Sequence, residues 1–162
     1  AALTEAQSIA VRNWRRGYVP AEKGKYRYGD AALASWIEDL GQVDKFTGKE
    51  QELLFFVSWW NFNCLFDARH AAVSSLQDAR TILQGGGGEA LKQTAALYQQ
   101  ELEILDSAFI KKDAFLGPWS GRSVKDWSAN AQGREREILA EARKIERAAV
   151  AEMEVALAAL AE

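Results

Sequence analysis

Asn63, Asp67 and His70 recur at intervals of four and three along the chain. On a helix that spacing sets all three on one side, with the carboxylate and the imidazole one turn apart. A carboxylate beside a histidine can orient the ring and raise its basicity, so the group could bind a polar ligand or hold His70 as a general base. Ser74, four residues beyond His70, could add a hydrogen bond. No second carboxylate or nucleophile is fixed beside them by local spacing. A solvent-facing strip with a local Asp67–His70 pair explains the pattern equally and is the preferred reading, with a small enzyme or ligand-binding bundle centred on these residues as the alternative.

Other chemistries meet stricter tests. His70 and Cys64 are the only histidine and cysteine, so one copy cannot build a zinc site of imidazoles and thiolates. A di-iron bundle needs two Glu-x-x-His motifs converging on the ions, and His70 follows Asp67 instead. Glu101 and Glu103, each near Asp106, look like ordinary exposed-helix carboxylates with no groove to face across, as glycoside hydrolysis would require. Cys64 falls on an apolar face with Val57 and Trp60 and reads as a small buried hydrophobe. The run "GGGG" at 85–88 lacks the lysine and hydroxyl of a phosphate loop and reads as a turn. No catalytic residue, metal or cofactor is therefore expected.

Arg12, Arg15, Arg16, Lys23, Lys25 and Arg27 oppose Glu22 alone, a local excess of five positive charges within a chain of net charge −3. Tyr18, Tyr26, Tyr28 and Trp14 interleave with them, the elements of phosphate attraction and base stacking. Without a helix-turn-helix or metal-finger spacing, nucleic acid is an unlikely partner. A solvated basic loop, able to meet an acidic surface, is the simpler role.

The elements that position these residues read as helices. Leu3 to Trp14 keeps helical spacing up to Gly17, followed by a glycine- and tyrosine-rich loop. Asp30 is placed to cap a helix through Leu40, and Gly41 to end it. From Gly48 to Leu83 no proline or further glycine intervenes, which suits one long helix. Another is expected from Glu89 to Lys112, with Trp119 folded back as an anchor after Gly117 and Pro118. A last helix is expected near Ser123, where Asp126 offers a cap, with a kink at Gly133.

The fold expected is all-α, a single domain over 1–162: an irregular bundle of long antiparallel helices with a basic tyrosine-rich loop near the N-terminus. The C-terminal helix, 134–162, is drawn as an arm or bundle edge that can protrude. No run is long and apolar enough to span a bilayer. The opening at Ala1 fits either a removed targeting segment or a partial chain, so localisation stays open.

Residues 53–66, "LLFFVSWWNFNCLF", carry four phenylalanines and two tryptophans. Phe55, Trp59, Phe62 and Phe66 share one side of a helix; Leu53, Val57, Trp60 and Cys64 lie nearly opposite. Four aromatics represent on the order of 600–1,000 Å², too much to leave in water without consequence. The expectation is that neighbouring helices of the same chain cover both rows, with a second copy as the alternative cover. A second row left bare in a single chain would count against both the bundle and an assembly role.

The function expected is that of a non-catalytic structural or assembly subunit, packing its helices against another protein subunit or a second copy. The basic segment would steer an acidic partner. Phe109, Trp119, Ile138, Ile145, Met153 and Leu160 are the first contact candidates, with internal packing as their other role.

Overall fold

The computed structural model describes residues 2–21, 24–82, 85–110 and 123–159. They form an all-α bundle of five helices: α1 (Ala2–Arg15), α2 (Gly29–Leu40), α3 (Lys49–Ile82), α4 (Gly86–Ile110) and α5 (Ala129–Ala159). The largest interface joins α4 to α5 and the next joins α3 to α4, while α1 and α2 pack mainly on α5 and on each other. Contacts run in opposite order along α3 and α4, and in the same order along α3 and α5, where Ser58 meets Glu135 and Arg69 meets Glu146.

A seam of every third or fourth residue explains the packing. On α3 it runs Phe55, Ser58, Phe62, Arg69, Val73 and Leu76; on α4 Leu91, Thr94, Tyr98, Glu101, Leu105 and Ala108. On α5 it runs Ala131, Glu135, Ile138, Ala142, Glu146, Ala149, Met153 and Ala156. The apolar members form two core clusters. One gathers Phe55, Phe62, Leu105, Ile138 and Trp127 with Leu40 and Val43; the other gathers Val73, Leu76, Leu91, Tyr98, Val150 and Met153, with Leu3, Val11 and Trp14 of α1 against it. Arg69, Glu101 and Glu146 fall between them.

Several expectations give way. The first aromatic row is covered, Phe55 and Phe62 fully, but Leu53 (61 %), Val57 (41 %) and Trp60 (55 %) are exposed, as is Phe56 (47 %). The short N-terminal helices are spent on α5, so nothing of the same chain covers that side of α3 among the described residues. The bundle closes without the second row, and Cys64, on that row, is exposed rather than buried. The tyrosine-rich segment is not an irregular loop: β1 (Tyr18–Ala21) pairs antiparallel with β2 (Gly24–Arg27), Val19 opposite Tyr26.

Of the four glycines only Gly85 takes a left-handed φ of +76°; the rest open α4, with Gly87 and Gly88 buried. Asp30 does not cap α2. Its carboxylate instead takes paired hydrogen bonds from Arg143 and Arg147 of α5, at 2.6–2.8 Å. A continuous α5 passes through Gly133 without interruption and is buried along its length, so it is part of the body and not an arm. Ser123 and Asp126 form a reciprocal capping box, but on a single turn of 3₁₀ helix ahead of α5.

Gly29 fixes how α1 meets α2. Its φ is +52°, and a Cβ there would lie 2.3 Å from the carbonyl oxygen of Trp14. Gly29→Ala should therefore cost about 2 kcal/mol or more, from left-handed strain and a backbone clash together. A shift of the urea midpoint with an unchanged slope would measure it.

Candidate functional site

Three helices each place one charged side chain on the seam between the core clusters. Arg69 Nε donates to Glu101 Oε2 at 3.1 Å, and Arg69 Nη2 pairs with Glu146. The guanidinium also covers the ring of Tyr98, 4.7 Å from its centroid. Both carboxylates are fully buried, while one edge of Arg69 stays accessible.

Removal from water disfavours ionisation. Burial first, and the charge of Glu146 second, push the Glu101 carboxyl up to about 9. Burial likewise raises Glu146, opposed by the Arg69 charge, and raises the Tyr98 phenol. At neutral pH the layer therefore holds a neutral Glu101 beside the contact between Arg69 and Glu146.

A second polar node lies one stretch along the bundle. Trp36 Nε1 donates to Ser58 Oγ at 2.7 Å, Ser58 Oγ hydrogen-bonds Glu135 Oε1, and Trp127 Nε1 donates to Glu135 Oε2 at 3.1 Å. Burial lifts the Glu135 carboxyl to about 7, against the two hydrogen bonds that favour its charge. Ser58 and Glu135 are both fully buried, so the pair has no path to a substrate and ties α2, α3 and α5 together.

The accessible edge of Arg69 opens on a cleft of about 220 Å³ between α1 and α3. Leu3, Ala6 and Ala10 form one wall, Ala72, Leu76 and Ala79 the other, with Tyr98 and Met153 at the floor. Gln7 also lines it. Its side chain is only 5 % exposed, and among the described residues no group hydrogen-bonds its amide oxygen or nitrogen. An unmet buried polar group of this kind costs about 1–3 kcal/mol.

The residues singled out from sequence lie elsewhere. Asn63 donates its amide back to the Trp59 carbonyl at 2.8 Å. His70 packs edge-on against Phe66, 4.6 Å between ring centres, and lines a shallow groove with Ser74, Gln99, Glu103 and Asp106. Asp67 is exposed on the same side of α3 and does not line that groove. Among the described residues no three His, Cys, Asp or Glu side chains converge as a metal-binding group.

In the basic segment, Arg15 makes a bidentate pair with Glu154 at 2.9–3.0 Å, and Arg16 lies over the Tyr28 ring. Arg12 and Arg27 are exposed. Of the contact candidates, Ile138, Ile145 and Met153 are buried within the bundle. Lys23, Trp119, Leu160 and the side chains of Lys25 and Phe109 lie outside the described residues.

Gln7, Ser58, Arg69, Glu101, Glu135 and Glu146 were not singled out from sequence as a site. A signal existed: Arg69, Glu101 and Glu146 each fall on the apolar register of their own helix. No family model, curated protein or solved structure matches the chain. Fold and site together define a five-helix bundle with a buried charged layer and one exposed aromatic row. Among the described residues no helix is long and apolar enough to cross a membrane.

Proposed function

We propose that the chain is a non-catalytic assembly subunit, an irregular bundle of long antiparallel helices that works by packing α3 against a helix of another protein. The observation that carries this reading is the exposed row Leu53, Phe56, Val57 and Trp60; the expectation that a bare row tells against assembly is given up, because the core closes without these residues and leaves them as surface for a partner. Phe56 and Trp60 stack with ring centres 6.4 Å apart, and Trp59 closes the group. Half-exposed aromatics of this size leave about 100 Å² each in water, and the row as a whole on the order of 400 Å². That is roughly half of one side of a standard protein interface, with the aromatic composition of its energetic centres.

Charge selects the partner. Glu50, Glu52 and Asp67 are exposed along the same helix against Lys49. A second copy docked parallel across the row would set Glu50, Glu52 and Asp67 against their own counterparts. A helix with an apolar face and basic flanks fits better.

Purification from the native source, followed by mass measurement of the intact complex and of the denatured chains, tests the reading. The wild-type chain is expected to travel with one other polypeptide. Phe56→Ser with Trp60→Ser should weaken that association at least tenfold while circular dichroism stays unchanged. Equal retention of the partner by the double variant, or a lone monomer from the native source, would reject the proposal.

A further inference from the structure

We infer that the cleft between α1 and α3 is a binding site for a small neutral carboxamide or lactam with an apolar body, recognised by the side chain of Gln7. The cleft stands far along α3 from the aromatic row, and nothing in the assembly reading uses it.

The chemistry of the walls sets the ligand class. A space of about 220 Å³ is the room of about seven water molecules, or of a compact molecule of about ten non-hydrogen atoms. Ala6, Ala10, Ala72, Leu76, Ala79 and Met153 offer a body of that size only hydrocarbon and sulfur. Ser75 adds an exposed hydroxyl at the rim, while Gln7 presents the buried neutral polar group left unmet among the described residues: an N–H donor beside a carbonyl acceptor, in one plane, on a side chain only 5 % exposed. A group that answers both atoms must itself carry a donor and an acceptor side by side, which an amide or lactam does. A carboxylate has acceptors only and an ammonium donors only, so each leaves half of Gln7 unmet.

Arg69 also borders the cleft, yet it does not turn it into an anion site. Its Nε and Nη2 are held by Glu101 and Glu146, and its face lies on Tyr98. Its charge is already matched by buried carboxylates, so an anion at the edge that remains would bring surplus negative charge against the layer. The guanidinium therefore acts as a rigid end wall, and the ligand is neutral.

Benzamide is a suitable probe, with toluene and benzoate as its apolar and anionic counterparts. In a ¹H–¹⁵N and methyl NMR titration of the full chain, benzamide should produce saturable shifts of the Gln7 side-chain amide and of the Ala72 and Met153 methyls. Benzoate should bind at least tenfold more weakly. Gln7→Leu should weaken benzamide at least tenfold and leave toluene unaffected or tighter. Ala72→Leu, which fills the cleft without touching Gln7, should abolish both. The inference is overturned if benzamide gives no saturable shift at the cleft, as it would if water alone satisfies Gln7. It is equally overturned if benzoate matches benzamide, or if Gln7→Leu binds benzamide as the wild type does. The wild-type titration decides the matter even if a variant fails to fold.

Discussion

Arg69→Met is expected to lower the unfolding free energy by about 3–5 kcal/mol at pH 7, although methionine fills much of the same volume and the neighbouring core stays apolar. The loss comes from what remains. Glu101 and Glu146, from α4 and α5, would face one another fully buried with no cation between them. Glu101 already holds its proton at neutral pH, so the loss falls on Glu146, which without its cation is either stranded as a buried charge or driven to bind a proton. The deficit should therefore shrink on acidification from pH 8 to pH 5, as Glu146 becomes neutral.

Replacing all three charges, Arg69→Met with Glu101→Leu and Glu146→Met, should bring stability back to within about 1–2 kcal/mol of wild type or above it, because the desolvation cost leaves with the charges. Urea unfolding of the three proteins measures this. A single variant that loses less than about 1 kcal/mol would show that the layer is wet in solution and that the ion pair is not a buried one.

That layer also marks the limit of reading this chain from sequence. Helix type and approximate extent were legible because proline is absent from residues 48–83 and 89–112 and apolar spacing is regular within them. The two-sidedness of residues 53–66 was legible too, since helical angle alone separates Phe55 and Phe62 from Leu53 and Trp60. Which side would be covered was not. That depends on where α1 and α2 dock, and their short amphipathic faces fit α5 as readily as α3.

The polar core was missed for a related reason. Glu101 lies among Glu103 and Asp106 in a charged stretch, and composition there suggests solvent. Register says otherwise: Tyr98, Glu101 and Leu105 lie three and four apart on the same seam as Leu91 and Ala108. Glu135 with Ala131 and Ile138, and Arg69 with Phe62 and Val73, repeat the pattern. A polar residue on an apolar register in each of three helices implies that they meet, but only the relative shift of the helices decides which meets which. Asp30 shows the complementary failure. Its position suited a helix cap, and a tertiary pair with Arg143 and Arg147 won because two guanidinium groups outweigh first-turn N–H donors, holding its carboxyl well below the usual range.

The Glu135 node gives the second large effect, with a definite sign in pH. Its folded carboxyl titrates near 7, against 4.5 for an ordinary glutamate. Between those values the unfolded chain has released the proton and the folded chain still holds it, so the folded state binds more protons and stability falls as pH rises. The contribution is fully present below pH 4.5 and lost by about pH 7, roughly 3 kcal/mol over the window at about 1.4 kcal/mol per unit. Glu101 extends the decline toward pH 9.

Asp30 acts oppositely. Lowered by its two arginines, it stabilises above its ordinary 3.8 and loses that contribution in stronger acid. Stability should thus peak on the acid side of neutrality. Glu135→Gln keeps an oxygen for Trp127 Nε1 and offers an N–H to Ser58 Oγ, as the protonated acid can. Urea midpoints measured from pH 4.5 to 8 should decline less steeply for this variant than for wild type, with the gap opening by pH 7. Parallel curves across that range would mean that Glu135 is charged throughout, and that the Ser58 and Trp127 hydrogen bonds outweigh its burial.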